Sequence, residues 1–152
     1  MKIVALSDSH AASLKLLPPQ LRTALRDSDV IVHAGDHTEA SLLMELHHTG
    51  RVVAVAGNMD STAVKMRLPH RQTFTANGKT IGVTHGSGAP TGIAQRVRAM
   101  FPEKPDVIVF GHSHVPFLGI IDDVLMVNPG PAASGYATIT INDGITVELV
   151  AT

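Results

Sequence analysis

Five short stretches carry the residues able to do chemistry: Asp8-Ser9-His10, Gly35-Asp36-His37, Gly57-Asn58-Met59-Asp60, Thr84-His85-Gly86 and Gly111-His112-Ser113-His114. Among them Asp8, His10, Asp36, Asn58, His85, His112 and His114 offer carboxylate, amide oxygen and imidazole nitrogen. Seven hard or borderline donors suit two divalent cations that share one carboxylate. Asp36 is assigned the shared position, because a carboxylate between two cations offsets their repulsion. The chain has no cysteine, so thiolate ligands are excluded and any metal must sit on oxygen and nitrogen. Nine histidines beside one tyrosine and no tryptophan point to imidazole chemistry. In Asp-x-His and His-x-His, an extended chain would set both side chains on one side, each pair gripping one ion. Gly35, Gly57, Gly86 and Gly111 flank the donors and allow backbone to pass close beneath them.

Such donors need strands to carry them to one place. "KIVAL", "VIV", "VVAVA", "IGV" and "VIVF" are short, rich in Val and Ile, and run directly into the five stretches, which predicts buried strands with the donors beyond their carboxyl ends. "PPQLRTALR" reads as a helix opened by proline. "TEASLLMELHHTG" reads as a second, with Thr38 as N-cap, Gly50 as stop and Leu42, Leu43 and Leu46 on its buried face. The opening is therefore β-α-β-α-β with a parallel sheet. Asn77-Gly78 and Asp143-Gly144 predict hairpins in the second half, and Asp122-Asp123 a looser one. A helix over "TGIAQRVRAM" interrupts them and stops at Pro102. Ser61 to Arg71 is expected to wall the site, with no element assigned to it.

At 152 residues and 44% hydrophobic content, one domain over 1–152 can bury its own core. A net charge of -1 gives no support to nucleic-acid backbone binding. "MKIVALSDSH" turns polar too soon for a signal peptide or membrane span, so a cytoplasmic protein is expected.

The order Asp-x-His, Gly-Asp, Gly-Asn, isolated His and Gly-His-x-His resembles the signature of the calcineurin-like metallophosphoesterase superfamily. With "VNPGP" late in the chain, the sequence looks like the small YfcE-like phosphodiesterases of that superfamily. The resemblance spans roughly Met1 to Gly135. It implies an α/β (α+β) fold, a four-layer αββα sandwich of two mixed sheets. It implies two divalent metal ions, commonly manganese, with iron, nickel, zinc or magnesium as alternatives. One ion would take Asp8, His10, Asp36 and His114, and the other Asp36, Asn58, His85 and His112. The implied reaction is hydrolysis of a small or nucleotide-like phosphodiester by a hydroxide bridging the ions, with Asp36, Asn58 and His85 in catalysis and Asn58 and His85 also on substrate. Relatives often form homo-oligomers. The same fold in a retromer subunit serves as a protein-binding scaffold after losing ligands, which is the alternative reading; here all seven are kept. A metallo-β-lactamase type of site also uses His-x-His, but it continues to an Asp-His pair where this chain reads "VPF".

Two departures from the superfamily pattern stand out. Met59 occupies the position of a histidine credited with protonating the leaving group, and a thioether cannot donate a proton. Ser87 replaces a second histidine after Gly86 and bears on the rim. His37 and Asp60, beside ligand positions, are candidate substrate contacts. His33 reads as a hydrogen-bonded core residue, His47 and His48 as a helix end, His70 as loop, and Arg96 and Arg98 as a solvated helix face.

Overall fold

Strand β1 (Lys2–Leu6) alternates with period two, Ile3 and Ala5 entering one core and Val4 and Leu6 another. The computed structural model, which describes residues 1–152, repeats this two-sided burial in strand after strand. The elements that follow are α1 (Pro19–Arg26), β2 (Val30–His33), α2 (Ala40–Thr49), β3 (Val52–Ala54), α3 (Thr62–Arg67), β4 (Arg71–Ala76) and β5 (Lys79–Thr84). After them come α4 (Ile93–Ala99), β6 (Val107–Val109), β7 (Phe117–Ile121), β8 (Val124–Asn128), β9 (Gly135–Ile141) and β10 (Ile145–Ala151).

Two five-stranded sheets form, in the orders β10-β9-β1-β2-β3 and β4-β5-β6-β8-β7. Both are mixed: β1, β2 and β3 run parallel, as do β5, β6 and β8, while β4, β7, β9 and β10 pair antiparallel. Three apolar clusters separate four layers. Ile3, Val32, Val83, Val109 and Ile139 fill the space between the sheets. Leu21, Leu25, Leu42 and Leu46 seal α1 and α2 onto the first sheet. Ile93, Val97, Phe101 and Phe110 seal α4 onto the second. This is the expected αββα sandwich, and the double burial explains why its strands read as continuous apolar runs. No helix is long and apolar enough to cross a membrane.

The three predicted hairpins form, and Asp122 and Asp123 turn as tightly as Asn77-Gly78, both aspartates adopting positive φ in a two-residue loop. Thr38 is not the N-cap of α2: Glu39 holds that position, and the Thr38 N–H is taken by the Asp60 carboxylate at 2.6 Å. Nor is the α4 face solvated throughout. Arg98 is buried and donates to the Phe101 carbonyl, while Arg96 ties down the carbonyls of Ser87, Ala89 and Thr91. Helix α3 has no counterpart in the sequence expectation, although Ser61 caps it by accepting from the Val64 N–H.

Candidate metal centre

The five donor stretches follow β1, β2, β3, β5 and β6, the parallel strands of the two sheets, and meet at their carboxyl ends. Ring nitrogens and carboxylates interleave there. His114 Nε2 lies 3.2 Å from Asp8 Oδ1, and His85 Nε2 lies 3.8 Å from the same oxygen. Asp36 Oδ2 sits between His85 Nε2 at 3.3 Å and His10 Nε2 at 3.8 Å. Asn58 Oδ1 is 3.1 Å from His85 Nε2, and the His112 ring stands edge-on to His85 with centroids 5.2 Å apart. Asp8, His10 and His114 form one group of converging donor atoms, and Asp8, Asp36 and His85 a second. All seven residues are thus brought together, with both carboxylates set among the imidazoles.

The carboxylates are half tied and half free. Asp8 Oδ2 accepts from Ser7 Oγ and the His112 N–H, and Asp36 Oδ1 accepts from the Met59 N–H at 2.8 Å. Asp8 Oδ1 is buried with no hydrogen-bond partner, although two imidazole nitrogens face it. A buried carboxylate oxygen that faces ring nitrogens and accepts no hydrogen bond fits a cation bound by all of them. Burial alone would raise the Asp36 pKa, but the hydrogen bond and charge of His85 and the Met59 N–H outweigh it and bring it below the usual value. For His85 burial pulls down, and Asp36 and Asp8 more than compensate, so its pKa is raised.

Two imidazoles are braced from behind. His85 Nδ1 donates to the Ala34 carbonyl at 2.8 Å, which fixes the ring with Nε2 turned toward Asp36 and Asn58, where it would bind a cation. His112 Nε2 donates to the Gly88 carbonyl at 2.9 Å, which leaves Nδ1 for coordination. Donation of the second ring nitrogen to a carbonyl is how metal-bound imidazoles are oriented.

The backbone beneath is not the extended one expected. Asp8, His10, Asp36, His112 and His114 all adopt left-handed φ, from 43° to 70°. The pairs converge because tight loops turn each residue, not because alternate strand positions share a side. Each such residue costs of order 1–3 kcal/mol, strain that surrounding structure must over-determine. The close-approach role given to the glycines does hold: a Cβ on Gly57 would strike the Asp36 carboxylate, and one on Gly111 would lie 2.8 Å from Asp8 Oδ2.

His37 and Asp60, the candidate substrate contacts, are both buried. His37 has no exposed surface, stacks on His33 with centroids 3.5 Å apart and bonds the Val55 carbonyl. Asp60 is buried and spends its carboxylate on the N–H groups of Gly57, Asp36 and Thr38, fastening two donor loops together. His33 accepts from the Gly35 N–H through Nδ1, so Nε2 donates to Ser9 Oγ at 2.8 Å, propping the Asp8–His10 loop. Burial, then its histidine neighbours, hold the His33 pKa well below the ordinary value.

Beside Asn58 and His85 opens a cleft of about 360 Å³ whose walls include Lys65, His70, Ser87 and Met100. Lys65 and His70 fall in the Ser61–Arg71 segment expected to wall the site, although the sequence singles out neither as a functional residue. The Ser61 cap before "TAVKMR" was the available signal for the helix that presents Lys65. A second cavity of about 310 Å³ lies between α4 and β7, with Ile93, Phe110, Val115 and Phe117 in its wall.

A chain with this sandwich and these converging donors belongs to the calcineurin-like phosphoesterase superfamily, whose domain matches residues 1–144. It is 34% identical over 132 residues to a protein of Methanothermobacter thermautotrophicus named "Probable metallophosphoesterase", covering 86% of this chain and 76% of that one. A phosphodiesterase of Methanocaldococcus jannaschii is 25% identical over 157 residues, covering 91% of this chain and 87% of the relative. A Thermotoga maritima protein solved by solution NMR superposes with a TM-score of 0.79 at 33% identity, covering 99% of both chains. The family implies a phosphoesterase that works with divalent metal ions, and the donor groups described here are the residues available to hold them.

Proposed function

We propose that this protein is a phosphodiesterase with a dinuclear metal centre, acting on a small diester. Asp8, His10, Asp36 and His114 would hold one ion, and Asp36, Asn58, His85 and His112 the other. Manganese is the ion the family resemblance suggests, and zinc, iron, nickel or magnesium are the alternatives for the same mixed oxygen and imidazole set. Such ions, when bound, supply an activated water and neutralise charge on the phosphoryl oxygens. The protein's own part is orientation. Asp36 and Asp8 each keep one oxygen fixed by a hydroxyl or backbone N–H and leave the other for coordination. Asn58 and His85 border the cleft and would meet the phosphoryl group. The observation that carries the reading is the unpartnered Asp8 Oδ1 facing His85 and His114.

The test is hydrolysis of bis-p-nitrophenyl phosphate and of the monoester by protein stripped with chelator and then resupplied with manganese. Metal-dependent cleavage of the diester, lost in Asp36→Ala and His112→Ala, is expected. Metal-loaded protein that cleaves neither would favour the scaffold reading. That alternative has its own support in an apolar edge: Val115, Leu118 and Ile120 are exposed on and beside β7.

A further inference from the structure

Met59 leaves the leaving-group side of the centre without an acidic side chain, and its thioether is 61% exposed. The same corner holds a cation supplied by another element. Lys65, on α3, donates its ammonium to the Asn58 carbonyl at 3.0 Å, which uses one of its three protons. It also lines the cleft that Asn58 and His85 border. No carboxylate contributes to that cleft, and Lys65 is in no ion pair. A lysine whose charge has no partner, beside a pocket that opens onto the metal donors, is poised for an anionic oxygen.

We infer that this cleft receives the leaving alcohol of the diester and that Lys65 neutralises the charge growing on its ester oxygen. The inference rests on the diesterase reading above. At about 360 Å³ the cleft stands at the small end of ligand pockets, and its walls mix the polar groups of Lys65, His70 and Ser87 with apolar surface such as Met100, which suits a compact alcohol of both characters such as a nucleoside. In the step, water oxygen forms the new bond to phosphorus while the bond to the alcohol oxygen breaks, its electron pair staying on that oxygen. The proton lost by water to solvent is returned by solvent to the alcohol, so diester and water give monoester and alcohol. Lys65 stays an ammonium throughout and stabilises the oxygen as it leaves.

Lys65→Met and Lys65→Arg would be compared with the parent, metal-loaded, on diesters graded from p-nitrophenol to phenol to a simple alkanol. The Met variant should lose about 3-fold on the p-nitrophenyl ester and about 30-fold on the alkyl ester, because a poorer leaving group carries more charge in the transition state. Arginine should restore most of the loss. An equal loss across the series, or none, would overturn the inference. Calorimetry with adenosine 5′-monophosphate provides a reading apart from turnover. Its affinity should weaken about 5-fold in the Met variant, with inorganic phosphate changed less. Unchanged nucleotide affinity would also overturn it. If the parent cleaves no diester with any metal, the diesterase reading falls, while the nucleotide arm still reports whether Lys65 faces an ester oxygen.

Discussion

The two halves of the proposed metal centre are held in different ways. In one, His85 is 4% exposed, with its rear nitrogen on the Ala34 carbonyl, and His112 is braced by the Gly88 carbonyl. In the other, His10 and His114 have side chains 37% and 52% exposed, and neither ring nitrogen is tied from behind by a carbonyl. The exposed pair depends instead on loop conformation, with φ of 43° at His10 and 60° at His114. Left-handed backbone underlies both halves, His112 included at φ 70°, and only one half adds carbonyls behind its imidazoles. The lesson is that ligand count does not measure ligand quality: an imidazole with a fixed tautomer and orientation binds without first losing rotamer freedom.

Several measurements would break or sharpen that contrast, the largest effects first. Asp36→Ala removes the carboxylate between the halves and should abolish diesterase turnover by about 10³-fold or more, with loss of bound metal read by elemental content. If the variant keeps both ions, the halves are more independent than the geometry implies. Gly57→Ala would drive a methyl against the Asp36 carboxylate and Asp36 backbone, and turnover should fall by about 10²-fold while the circular dichroism of the fold persists. Stepwise manganese titration should give two affinities about 10-fold to 100-fold apart, the tighter belonging to the braced half. His112→Ala should remove the tighter step and His114→Ala the weaker; the reverse assignment would sink the contrast.

A smaller effect is expected at one remove. Arg96 grips the Ser87–Thr91 turn whose Gly88 carbonyl orients His112, so Arg96→Ala should weaken only the tighter ion, about 3-fold to 10-fold. Smallest is the acid response of chelated protein. His33 is buried neutral, with a folded pKa below its ordinary 6.5, so the unfolded chain binds more protons in that window. Stability should therefore be full above about pH 6.5 and decline as pH falls below it, read as a melting temperature that drops by a few degrees toward pH 5. Because His33 props Ser9, the exposed half should loosen first, seen as earlier broadening of His10 and His114 ring signals in NMR.

Much of the fold was readable because its signals are local. Continuous apolar runs in "KIVAL" and "VIVF" mark strands covered on both faces, and Asn77-Gly78 marks a hairpin through φ alone. Helix α3 was missed because six residues with a single buried side chain, Val64, carry almost no amphipathic pattern. Thr38 misled because a threonine caps a helix only from extended backbone, and Thr38 sits at φ 71° while Asp60, 22 residues away, holds its N–H.

Within the centre the division is equally physical. The identity and order of the seven donors, and their place after parallel strands, are written in the chain, since side-chain chemistry and strand direction follow from local sequence. What only the tertiary structure decided is how the donors are held: the left-handed turns under five of them, the carbonyls of Ala34 and Gly88 behind two imidazoles, the burial of His37, and Lys65 at the rim of the cleft. Each arises where segments remote in sequence are packed against one another, 51 residues apart for His85 and Ala34. No window of sequence contains both partners, so the contact exists only once the two sheets have closed.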